Sequence, residues 1–314
     1  MQKNVIKRWI GAKNLALLFF VIMTLCMLLY GSLSARLALE GLNLWFTKMI
    51  PALLPFMILS GILIGTGLSD SFAALFAPVL RPLFSLSDSC LYCIIIGFLC
   101  GFPMGARVCA QSYERGRISR QEATLLLAFC NNIGPIYFTG YVLKLFPVRR
   151  PLTVLLGMYL LPLLYGLLLR HTLFRTIPVP MIRSDAKSVR PLTLSSLLCE
   201  LHASILSSLD AITVLGGYMI FCNLLTLLPR ILFRDMPRLI LLSGPLFEIT
   251  GGLSRLSVQD AKWAFILLPF GGLSCIAQTF SCIKNTDLSL KEYVFHKVVQ
   301  TMLTAAFYAS VRLI

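Results

Sequence analysis

The sequence predicts an all-α polytopic membrane protein, built as an inverted repeat of helix, re-entrant hairpin and broken helix. Three observations carry that prediction. The 314-residue chain is 57% hydrophobic and only 13% charged, with mean hydropathy +0.83, whereas a soluble domain is about a quarter charged. Apolar runs of roughly 18–22 residues, long enough to cross a hydrocarbon core, recur along it. Two stretches at a constant offset open with the same polar signature and then break at glycine.

In chain order, a basic start, MQKNVIKRWIGAK, precedes an apolar run. Ser32 to Ala35 imitates a cleavage site, but the run is longer than a signal core. It reads as a retained helix, 14–34, with a cytoplasmic N-terminus. A second span covers 49–67. Residues 71–84 are too short and too proline-broken to cross and read as an interfacial helix. Residues 88–112 carry Gly97, Gly101, Pro103 and Gly105 near their middle. Glycine and proline break a helical ladder, so this piece reads as a hairpin that enters and leaves on one side. Spans at 122–147 and 151–170 follow.

The polar stretch 171–190 reads as a linker, and 191–206, with Glu200 and His202, as a second interfacial helix. A span at 207–228 leads to a second hairpin, 238–254, with Gly244, Pro245, Gly251 and Gly252. Spans at 260–283 and 292–312 finish the chain. Four units result: an N-terminal helix in 1–40, a first repeat in 41–170, the linker and interfacial helix in 171–206, and a second repeat in 207–314. Under this topology about 17 of the 28 Lys and Arg residues, those of 284–297 included, fall on the cytoplasmic face. The net charge of +15 is thereby explained mainly by membrane orientation, and no nucleic-acid module is present.

The repeat is visible in ISRQEATLLLAFCNNIGPI (118–136) and LSVQDAKWAFILLPFGGLS (256–274). Ser119 aligns with Ser257, Gln121 with Gln259, Glu122 with Asp260, Ala123 with Ala261 and Gly134 with Gly272. Ser-x-x-Glu/Asp before an apolar run is a capping box. Each copy follows a hairpin, and the two copies take opposite orientations, as in secondary transporters. The first breaks at Asn131, Asn132, Gly134 and Pro135; the second at Pro269, Phe270, Gly271 and Gly272, with Ser274 and Gln278 beyond it. Irregular backbone at membrane depth survives when it is buried in protein or lines a cavity. Half-helix N-termini favour anions. The alternative is a pair of kinked helices whose polar groups only pack against each other.

Other chemistry finds no support. Cys90 and Cys93 form a CxxC without a second pair. His171, His202 and His296 form no metal set, so no metal or cofactor is expected. No nucleophile–base pair and no phosphate loop occurs, so neither an enzyme nor a nucleotide-driven pump is expected. Glu248, inside the second hairpin, is a proton-coupling group, a hydrogen-bond partner or the partner of an arginine. Asp210 is a weaker acid candidate.

GFPMGA (101–106), ISRQEA (118–123), NNIGP (131–135) and FGGLS with a following Gln (270–278) resemble the YlbJ-type sporulation integral membrane proteins. These carry a nucleoside-recognition or Gate domain and are related to concentrative nucleoside transporters. The resemblance covers about 40–312 and is looser in the second half. It implies two hairpins and two broken helices around a midplane site. It also implies transport of dipicolinate across the outer forespore membrane; coupling to an ion, proton or sodium, stays open. A non-transporting scaffold and a nucleoside transporter are the alternatives, and oligomerisation stays open. The site carried over is Gly101, Phe102, Pro103 and Gly105; Asn131, Asn132, Gly134 and Pro135; Glu248 and Thr250; and Phe270, Gly271, Gly272, Ser274 and Gln278. For a flat dicarboxylate, Phe102 and Phe270 would stack and the amides would donate. Arg107 is the candidate cation or, alternatively, a headgroup anchor, as is Arg255.

Overall fold

A computed structural model describes residues 12–178 and 193–311, and every regular element among them is helical. The basic start at 1–11, the linker residues 179–190 and the end of the last span lie outside the described residues.

The first helix, α1, is Ala12–Leu29. It shows apolar side chains such as Leu15, Phe20 and Leu28 outward nearly all round, which suits lipid. The chain then turns at Tyr30 into α2, Gly31–Thr66, closed by Gly67 in the left-handed conformation. The expected spans 14–34 and 49–67 are therefore corrected: the second helix starts much earlier, and residue 40 lies inside it. Gly41, the one residue that could end a helix there, serves packing instead. A Cβ on it would lie 2.9 Å from Ile220 Cα, so it lets a neighbouring helix approach closely.

That neighbour is α10, Leu194–Leu232. Thr193 and Ser196 cap it reciprocally, and no glycine or proline interrupts 194–215. The described part of the expected interfacial helix 191–206 is thus the first half of one long helix. Ser204 Oγ donates to Ile58 O (2.7 Å) and Trp45 Nε1 donates to Ile212 O (2.8 Å), pinning α10 along α2.

Short helices α3 (Ser69–Ala74) and α4 (Ala77–Phe84) lead into the first hairpin, α5 (Asp88–Cys100) and α6 (Met104–Glu114). Residues 90–97 and 101–110 are buried on every side, so this hairpin is the centre of the molecule. Helix α7, Arg120–Phe129, begins at Ser119, whose hydroxyl accepts from Glu122 N (3.2 Å) while Glu122 accepts from Ser119 N (2.7 Å). It stops before Asn131, and α8 (135–145) resumes at Pro135. Helix α9, Pro151–His171, closes the first half.

The second half repeats the order. The hairpin α11 (Pro237–Phe247) and α12 (Ile249–Ser254) follows α10. Ser257 and Asp260 form the second capping box, with Ser257 N donating to Asp260 Oδ2 (3.0 Å). Helix α13 (Ala261–Leu267) breaks at 268–271 and continues as α14 (Gly272–Ile283), and α15 (Leu290–Ser310) ends the fold.

Among the described residues, four helices are long and apolar enough to cross a membrane: Gly31–Thr66, Pro151–His171, Leu194–Leu232 and Val258–Ile283. A fifth results if Ala77–Phe84 and Asp88–Cys100, bent by 106°, count as one. The sequence had suggested seven spans. Lys13–Leu29 is short, 122–147 is interrupted, and α15 carries a polar buried face of Tyr293, His296, Lys297, Gln300 and Thr304.

Candidate functional site

The hairpin tips sit on the helix breaks. Gly101 has φ +85°, open to glycine at little cost, and a Cβ on it would lie 2.2 Å from Gly134 N. A Cβ on Gly134 would lie 2.7 Å from Cys100 O, and one on Gly105 2.5 Å from Cys130 O. Backbone therefore touches backbone where the first tip meets the first break. The second half makes the same kind of contact. Gly272, at φ +77°, would place a Cβ 2.7 Å from Pro245 O of its own hairpin.

The first break opens a polar pocket that α15 fills. Asn131 Oδ1 accepts from Ala106 N (3.3 Å) on the first hairpin. Its Nδ2 donates to Thr279 Oγ1 on α14 and to the Tyr293 hydroxyl on α15, both at 3.0 Å. Asn132 Nδ2 donates to Phe129 O (2.6 Å). Asn132 Oδ1 accepts from Lys297 Nζ at 3.0 Å, and Gln300 Oε1 accepts from the same ammonium at 3.1 Å. Gln300 Nε2 in turn donates to Ala128 O, the last turn of α7.

Lys297 is 0% exposed. Among the described residues no carboxylate pairs with it. Its remaining partners are two rings, Phe102 with its centroid 5.0 Å from Nζ and Tyr293 with its centroid at 5.8 Å. An ammonium out of water costs several kcal/mol. Two hydrogen bonds to a charged donor return about 1.5–3 kcal/mol each, and a desolvated cation–π contact about 2 kcal/mol. The lysine is thus held, while its charge remains without a counter-ion.

Phe102 also forms one wall of a cavity of about 50 Å³ between the two halves. Gly134 and Tyr137 come from the first break, Glu248 and Thr250 from the second tip, and Gln278 from the second broken helix. The Gln278 side chain has no hydrogen-bond partner among the described residues and faces this space. Gly271 touches the edge of the Phe102 ring, where a Cβ would lie 3.2 Å away. The first tip, the first break and the second tip thus converge on one cavity, and the second break meets its Phe102 wall.

Glu248 is buried at the second tip and does not pair with an arginine among the described residues. Its carboxylate accepts from Thr250 N (3.1 Å), Gly251 N (2.6 Å) and Asn223 Nδ2 (3.2 Å). It is the N-cap of α12, where the helix-start amides favour a negative charge. Tyr137 OH donates to Thr250 Oγ1 and Tyr141 OH to Thr250 O, both at 3.1 Å, so α8 clasps the second tip.

Several expected site residues lie elsewhere. Arg107 is only 8% exposed and turns toward α10, where Nη2 donates to Ser207 Oγ (2.8 Å). It does not line the cavity. Arg255 pairs with Glu40 and with Asn223 Oδ1, away from the cavity. Phe270 is half-buried and outside the cavity wall, so it does not form the second stacking face. Pro103 and Ser274 are buried behind the wall, and Pro135 starts α8. The ten cysteines are free, and among the described residues no His, Cys, Asp or Glu group is arranged to hold a metal.

Lys297, Gln300, Tyr293, Thr279, Asn223 and Tyr137 were missed by the sequence reading. A signal existed: Tyr293, Lys297, Gln300 and Thr304 recur at helical spacing inside an apolar run, marking one polar face.

Residues 46–148 match a family model described as Gate, nucleoside recognition, and so include the first hairpin and first break. The sporulation integral membrane protein YlbJ of Bacillus subtilis (strain 168) is 28% identical over 92% of this chain and 80% of its own length. No solved structure gives a significant match.

Proposed function

We propose that this Gate-domain membrane protein, similar over most of its length to a sporulation integral membrane protein, moves a small organic anion across the bilayer. Dipicolinate is the substrate and the outer forespore membrane the setting. The observation that carries this reading is Lys297: a buried cation at a helix break, balanced among the described residues by neutral oxygens and two ring faces. A carboxylate is the natural counter-ion for such a group. The wall between the lysine and the cavity is Phe102, a single side chain able to rotate aside or stack on a flat aromatic acid. Gln278 in the same cavity supplies a free amide.

A second reading is nucleoside transport, favoured by the Gate match and by Glu248, Thr250 and Gln278 around the cavity. Against it, the first tip, GFPMGA, carries no acid for ribose hydroxyls.

Uptake of labelled dipicolinate and of a labelled nucleoside into proteoliposomes separates these readings. Saturable dipicolinate uptake supports the anion reading, and saturable nucleoside uptake alone supports the second. Uptake of neither by folded protein would leave a non-transporting role in envelope formation.

A further inference from the structure

We infer that a second anion site lies at the base of the second hairpin, where Arg230 and Arg255 line a separate cavity of about 220 Å³ and take a phosphate or carboxylate group. Thr226, Ile240 and Leu241 complete most of the wall.

Both guanidinium groups have unused donors. Arg255 spends Nη2 on Glu40 and on Asn223 Oδ1 (3.1 Å), while its buried Nη1 has no hydrogen-bond partner among the described residues. Arg230 has a buried Nε without a partner, and no hydrogen bond or ion pair to it is formed by any described residue. Among the described residues Glu40 is the one acid bound to the pair, and it is taken by Arg255. Thr226 donates its hydroxyl to Asn223 O (2.6 Å) and, being neutral, does not cancel the charge. Two cations and one carboxylate thus share a largely apolar recess.

Leaving such buried donors unpaired costs their desolvation with nothing in return. An oxyanion relieves that cost, because the planar guanidinium fork matches phosphate and carboxylate oxygens. The surroundings fit a lipid headgroup as well as a free anion. Leu232, Phe233, Met236 and Leu239 are exposed just beside the recess and form an apolar ledge for acyl chains. The site is distinct from the central cavity, with which it shares no lining residue. Asn223 lies between them, bonded to Arg255 on one side and Glu248 on the other.

The test uses the full-length protein, stripped of lipid in uncharged detergent. Thermal unfolding is followed on titration with phosphatidylglycerol, phosphatidylcholine or inorganic phosphate. Stabilisation by phosphatidylglycerol but not phosphatidylcholine assigns the site to a lipid headgroup, and stabilisation by phosphate alone assigns it to a free anion. In either case the apparent Kd rises tenfold or more in Arg230→Gln and stays unchanged in Lys297→Gln. Arg230→Met, which removes the charge but keeps bulk, covers a folding failure of the first variant. Native mass spectrometry of the wild type gives an independent reading, with one anionic lipid or phosphate retained per chain. The proposal is overturned if no anion stabilises the wild type more than phosphatidylcholine does, if either folded Arg230 variant responds like the wild type, or if the wild type retains none.

Discussion

The ammonium of Lys297 lies 3.0 Å from the side-chain oxygen of Asn132, inside the gap where one helix stops and the next begins. The two residues are far apart in sequence and come from different halves of the fold. Their pairing explains why an asparagine stands at the break: a neutral oxygen holds the cation without cancelling its charge. A carboxylate there would have produced a closed ion pair with little remaining attraction for a ligand.

Replacing Lys297 with glutamine separates charge from packing. The amide can still donate to Asn132, and removal of a buried charge offsets part of the lost bonding, so stability stays within about 2 kcal/mol of the wild type. Anion uptake should fall at least about tenfold, the equivalent of about 1.4 kcal/mol. Parallel melting curves and initial uptake rates check both halves of this expectation.

Glycine at the first tip is a steric requirement. Gly101→Ala and Gly134→Ala each put a methyl into backbone of the facing segment, at 2.2 Å and 2.7 Å. Each should cost several kcal/mol, as overpacking and strained backbone do. Little folded protein should be recovered on size exclusion. Gly140, with nothing near its would-be Cβ, should accept alanine with a normal elution profile.

Glu248 is expected to hold the second tip in shape. In Glu248→Gln an amide donor faces an N–H of Thr250 or Gly251, or the Asn223 amide. The loss of one acceptor should lower stability by about 1–3 kcal/mol. Hydrogen exchange at 249–254 should quicken, while that at the first tip stays unchanged.

Phe102 is expected to be the wall and the π partner together. Phe102→Leu keeps the wall apolar but removes the nearer of the two ring faces at Lys297, leaving Tyr293 at 5.8 Å and costing up to about 2 kcal/mol of cation stabilisation. Uptake should retain its preference for anions but lose its preference for flat aromatic ones. Competition by a flexible dicarboxylate of equal charge reads this directly.

Local chemistry was legible in the sequence, and long-range chemistry was not. Both capping boxes form as read, because Ser119 with Glu122 and Ser257 with Asp260 are neighbours on one helical turn. The hairpin tips and the breaks were legible because glycine and proline act on their own backbone. Lys297 was counted among the loop cations, since a lysine seven residues into a helix looks the same in sequence whether it reaches for headgroups or for a buried asparagine. Arg107 failed in the opposite direction: its partner Ser207 belongs to a helix whose register no local pattern fixes. The long helix from Leu194 was divided because the polar residues Glu200 and His202 imitate an interface, although nothing in 194–215 breaks the backbone.

The most direct measurement is uptake of labelled dipicolinate into proteoliposomes holding wild-type protein or Lys297→Gln, both shown to be monodisperse. An anion site at Lys297 predicts saturable uptake by the wild type and at least tenfold slower uptake by the variant. Equal uptake by the two would contradict it, as would wild-type protein that carries a nucleoside and not the dicarboxylate.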